Sequence, residues 1–151
     1  MPQLIADLDH ISLLALGVAA AVLLIIVLRW MGERVAPSAA GVPLEGDGSF
    51  DYTIAGTSDH QPVLGRIAGH PDTDGHDCTA ELVPDMARTG ELRGIWVLVD
   101  GARVGHILPA ETAMFHAVMG GRRGRCEAVI AVHADGELVV RLDTVWPPRL
   151  A

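Results

Sequence analysis

From Ile11 to Leu28 the chain reads ISLLALGVAAAVLLIIVL, an uncharged run with no polar face. At about 1.5 Å per residue such a helix reaches ~27 Å, and Trp30 and Met31 bring it near the ~30 Å hydrocarbon layer of a bilayer. The pattern predicts a single transmembrane helix over 11–31 after an extracytoplasmic segment 1–10, anchored by Ile11, Leu28 and an interfacial Trp30. A cleaved signal peptide competes with this reading. It needs a basic start and a shorter apolar core, whereas MPQLIADLDH carries Asp7 and Asp9 and no Arg. Arg29 and Arg34 follow the run, so the positive-inside bias puts the N-terminus outside and the remaining domain in the cytoplasm, at the inner membrane. Ala15, Gly17, Ala19 and Ala21 make small-xxx-small pairs suited to a weak homodimer, although filler is their plainer reading. Residues 32–48, rich in Ala, Gly, Pro and Ser without an apolar period, predict a flexible linker.

Beyond the linker the period changes from helical to strand-like. Phe50, Tyr52 and Ile54 alternate, and Gly56 ends the run. Ser58 or Asp59 is placed to cap a short helix with Pro62 in its first turn, Val63, Leu64, Ile67 and Ala68 on one face, and Gly69 after it. Cys78, Ala80 and Leu82 begin a second strand, followed by a polar loop over 84–93. Ile95 to Val99 is apolar on both faces, as in a central strand. Asp100-Gly101 is a two-residue hairpin signal into 103–108. Pro109 opens a second helix with Ala110, Ala113, Met114, Ala117 and Val118 in helical register and Gly120 as terminator. Cys126, Ala128, Ile130 and Val132 form another strand, and Asp135-Gly136 turns into Leu138, Val140 and Leu142. Pro147-Pro148 ends pairing and leaves a tail at 147–151. The order β-α-β-β-β-α-β-β predicts an α+β domain over 49–146, a small, mostly antiparallel curled β-barrel with two short helices, preceded by the transmembrane helix.

Composition narrows function more than fold. The mean hydropathy of +0.33 is concentrated in residues 11–32, where 18 of 22 positions are apolar. Every basic residue is Arg, and residues 45–151 hold 16 Asp/Glu against 9 Arg, a charge of −7. A generally basic nucleic-acid surface is excluded, and the absence of Lys excludes a phosphate-binding Gly-Lys loop. The best anion-facing segment is GGRRGR, with Arg122, Arg123 and Arg125 on a Gly-rich turn suited to a nucleic-acid phosphate or a lipid headgroup. His70, His76 and Cys78 are zinc-ligand types, but they make one incomplete half of a site, and Asp72-x-Asp74-Gly75 is a fragment of a calcium loop. A solvated loop is the better account. Ser58-Asp59-His60 holds triad residue types, yet adjacent residues cannot form a triad. Cys78 and Cys126 read as small buried hydrophobes of a reducing compartment. No catalytic residue, metal or cofactor is expected.

The stretch LVPDMARTGELRGIWVLVDGARVGHILPAETA (82–113), preceded by FDYTIAGTSDHQ, resembles the HIRAN domain family. The resemblance is carried by Ala80-x-Leu82-Val83-Pro84, by the strand ending at Asp100-Gly101, by Val104-Gly105-His106-Ile107, and by the helix holding Ala113. It covers about 50–145. It implies a non-catalytic module that binds single-stranded DNA or DNA ends. Where family members carry an N-P-x-D-x-x-A loop, this chain reads Arg88-Thr89-Gly90-Glu91-Leu92-Arg93-Gly94, so the resemblance assigns no individual contact residues. The acidity favours the alternative, a protein-interaction or scaffolding module with the same fold.

Overall fold

The computed structural model of the chain describes Ser12 and residues 14–28, 41–71 and 74–151. It divides into two units, Met1–Ser38 and Ala39–Ala151.

In the first unit, residues 14–28 form a continuous helix, α1, with exposed side chains throughout, Ala15, Gly17, Ala19 and Ala21 among them. Its described stretch measures about 22 Å at 1.5 Å per residue, against the ~30 Å that a spanning helix must cover. Among the described residues no helix is long and apolar enough to cross a membrane. The transmembrane helix expected over 11–31 is therefore withdrawn. With it go the single-pass inner-membrane location and the orientation. Leu28 is the last described residue of α1, while Ile11, Arg29, Trp30 and Arg34 lie outside the described residues.

The second unit is α+β. Its strands are β1 (Val42–Pro43), β2 (Tyr52–Thr53), β3 (His76–Met86), β4 (Leu92–Val99), β5 (Ala102–His106), β6 (Gly124–Val132) and β7 (Leu138–Leu142). They form one curled sheet in the order β2-β7-β6-β3-β4-β5, antiparallel along this path, with β1 added parallel to β6. The curl brings the two edges together. Just past β2, Ala55 exchanges both backbone hydrogen bonds with His106 of β5, each 2.9 Å. The contact requires Gly105: a Cβ there would stand 2.4 Å from the Ala55 carbonyl oxygen.

The alternation read from the sequence is the burial pattern of the sheet. Ala80 and Leu82, Ile95, Val97 and Val99, Val104, Ala128 and Ile130, and Val140 and Leu142 point inward and are buried. Side chains one residue on face outward, as the period of two demands. Two short helices close the interior: α2 (Gln61–Ala68) supplies Leu64, and α3 (Thr112–Met119) supplies Phe115 and Met119, all fully buried. A 3-10 turn precedes each, Thr57–His60 and Pro109–Glu111. Neither Ser58 nor Asp59 caps α2 with its side chain. Gln61 instead fixes the helix: its amide donates to the Thr57 and Leu138 carbonyls, and its oxygen accepts from Leu138 N–H.

Asp100-Gly101 makes the expected tight hairpin, both residues at positive φ (50° and 77°). The polar loop expected over 84–93 is also a hairpin. β3 runs on to Met86, Ala87 N–H donates to the Glu91 carbonyl, and Gly90 takes the left-handed position of a three-residue loop. The linker and tail expected at 32–48 and 147–151 are in part strands of the domain. β6 extends beyond the end of β7, and β1 pairs with that exposed edge, Val42 and Leu44 N–H donating to the Arg123 and Arg125 carbonyls. Leu44 is buried and bridges Leu150, and Glu45 pairs with Arg149.

Candidate functional site

Two clefts open on either side of the segment 106–111, which leads from β5 into α3. The first, about 480 Å³, is lined by Asp85, Arg93, Trp96, His106, Pro109 and Thr112, among others. Its position follows from the β4–β5 hairpin. Trp96 and His106 are paired in register and both face outward, so the imidazole stands edge-on to the indole, with ring centroids 6.1 Å apart. Arg103, further back on β5, lays its guanidinium over the Trp96 ring, 4.4 Å from the centroid. Arg93 reaches Asp85 across the β3–β4 pair at 3.1 Å, with its side chain still 63% exposed. At such exposure the ion pair contributes little to stability, and the guanidinium is available to exchange partners. The Thr112 hydroxyl donates to the Leu108 carbonyl and fixes the start of α3.

The second cleft, about 430 Å³, is lined by Asp51, Tyr52, Thr53, Leu108, Glu111, Thr144 and Trp146. Tyr52 is its pivot. The ring meets buried Phe115 edge-on at 5.3 Å and lies nearly parallel to Trp146 at 6.3 Å. Its hydroxyl donates to Glu111 Oε2 and accepts from Leu108 N–H. Burial, and then the Glu111 carboxylate beside it, push the phenol well above its ordinary range. Trp146 is 56% exposed.

The sequence candidates are placed elsewhere. Arg122, Arg123 and Arg125 do not make one free cationic turn, because each guanidinium meets a different protein group. Arg122 donates to the Met119 carbonyl at the end of α3, where a cation complements the helix dipole. Arg123 lies 3.8 Å from Glu81, and Arg125 donates to the Gly41 carbonyl, holding the strand entry. His70 is exposed beyond α2, whereas His76 and Cys78 lie on β3. Among the described residues no three His, Cys, Asp or Glu side chains are grouped to hold a metal ion. Asp72 lies outside the described residues. Both thiols are free and pushed up to about 12, Cys78 by burial and then by Asp100, Asp77 and Glu127, Cys126 by burial and then chiefly by Asp143 and Glu127. Neutral thiols are poor nucleophiles and poor metal ligands.

Sequence reasoning missed both clefts. One signal was present: counting back from Asp100-Gly101 puts Trp96 and Arg103 on one face of the hairpin. No protein-family model, curated protein or solved structure matches the chain.

Proposed function

We propose that the second unit is a non-catalytic, HIRAN-like binding module that takes the end of a single-stranded DNA in the Trp96 cleft. The observation that carries the reading is the Trp96 indole, partly exposed, which lines that cleft together with Arg93 and carries the Arg103 guanidinium over its ring. Single-strand sites combine these two elements, an aromatic surface for a base and cations for its phosphates. The motif resemblance over 82–113 points the same way. Arg93 and Arg103 replace the 122–125 turn as the phosphate contacts in this reading.

The test is fluorescence anisotropy of a labelled oligonucleotide with the full chain, at low and moderate salt. The expected outcome is salt-dependent binding that a circular single strand does not compete away and that Trp96→Ala weakens about ten- to a hundredfold, the range of ~1–3 kcal/mol per stacked base. No binding at low salt ends the reading.

A second reading, a protein-interaction module, is favoured by the charge of −7 over residues 45–151. It predicts no oligonucleotide binding under the same conditions.

A further inference from the structure

The Trp146 cleft has no part in DNA binding at the Trp96 cleft, and its lining differs in charge: Asp85 and Arg93 balance in the first, while the second is acidic. Its lining holds two carboxylates, Asp51 and Glu111, and no Arg or His. Among the described residues Asp51 makes no hydrogen bond or ion pair, and it is exposed. Phosphate is repelled there. The most exposed aromatic of the domain forms one wall, with Tyr52 nearly parallel to it.

We propose that this cleft binds an arginine side chain presented by a partner peptide, its guanidinium laid on the Trp146 indole and hydrogen-bonded by Asp51 and Glu111. Indole is the strongest cation–π acceptor among the side chains. A guanidinium offers both a flat face for the ring and a fork of N–H donors for carboxylates, and it sheds water more readily than an ammonium does. The existing Tyr52–Glu111 hydrogen bond fixes one carboxylate in place before any ligand arrives. Charge complementarity extends beyond the cleft, since the surrounding chain is strongly acidic. The inference does not depend on what the Trp96 cleft holds.

The experiment is an NMR titration of the full chain with acetyl-Gly-Arg-Gly-amide, followed at the indole N–H resonances and assigned with Trp146→Phe. The expected result is a saturable shift of the Trp146 resonance at millimolar peptide, with the Trp96 resonance unmoved. A norleucine peptide leaves both unmoved. Asp51→Asn changes an exposed side chain and Glu111→Gln keeps an acceptor for Tyr52, so both variants retain the fold; each weakens binding at least threefold. A lysine peptide that binds as tightly, binding indifferent to both substitutions, or no shift up to about 20 mM peptide, where affinity would be weaker than ~2.3 kcal/mol, overturns the proposal. None of these outcomes bears on the oligonucleotide result, which is read at Trp96.

Discussion

Two clefts of similar volume lie on either side of one short segment, and each has a tryptophan in its wall. His106, Ile107 and Pro109 turn to the Trp96 cleft, while Leu108 and Glu111 turn to the Trp146 cleft. Their charges differ. In the first, Arg93 is paired with Asp85 and Arg103 lies over the indole, whereas Asp51 and Glu111 line the second with no Arg or His. Exposed charges are screened beyond about 8–10 Å at physiological salt, so each cleft presents its own sign rather than the net charge of the chain. The net charge of −7 over residues 45–151 therefore decides neither cleft; the side chains within reach of each do.

The comparison assumes that both clefts are faces of one packed body. Phe115 tests that assumption with the largest effect. Its ring is fully buried and supports Tyr52 from beneath, while its helix begins at the residues that floor the Trp96 cleft. Phe115→Ala should cost about 3–5 kcal/mol of stability through the cavity it leaves. In urea unfolding, the Trp96 and Trp146 signals should move together to a lower midpoint. Separate transitions would mean that the clefts belong to independent pieces.

A second test asks whether the Trp146 cleft is as closed around its phenol as its contacts imply. Tyr52 is the sole tyrosine, so tyrosinate absorbance reports it alone. An open phenol ionises near pH 10. Burial and Glu111 hold the Tyr52 proton well above that. A raised folded-state value contributes stability that is complete below about pH 10 and is lost as pH rises through the folded value. The folded protein should show no tyrosinate signal through the pH range in which a free phenol titrates, and stability should fall from there upward. Glu111→Gln removes the neighbouring charge and should bring the titration down. A titration near 10 in the folded wild type would mean that neither burial nor Glu111 holds the phenol proton.

Local patterns placed most of the barrel because its elements are local. Alternation located β3, β4, β6 and β7, Asp100-Gly101 located a hairpin, and Pro109 and Gly120 bracketed α3 with its lead-in turn. The remainder depends on distant partners. Val42 and Leu150 look like linker and tail until β6 offers an unpaired edge and Leu44 a bridge. The Trp146 cleft joins residues 51–53, 108–111 and 144–146, which no window of sequence contains together. The surroundings of the GGRRGR turn were hidden for a related reason. Adjacent guanidiniums in sequence suggest one anion site, but helix end, strand entry and Glu81 each engage one. The apolar run at 11–28 suggested a spanning helix, but among the described residues no helix is long and apolar enough to cross a membrane.

Arg103 provides the smallest change in stability and the sharpest separation of the clefts. Its guanidinium rests on Trp96 at the surface, where a cation–π contact is worth about 0.5–1 kcal/mol. Arg103→Gln should therefore shift the urea midpoint only slightly. If Arg103 contacts phosphate, the same substitution removes one released counterion and reduces the salt slope of oligonucleotide binding by about 0.7. Arginine-peptide binding at Trp146 should be unchanged, because Arg103 does not line that cleft. A loss of peptide binding would mean that the clefts communicate through the 106–111 segment. An unchanged salt slope would remove Arg103 from the phosphate contacts and leave the Trp96 platform with Arg93 alone.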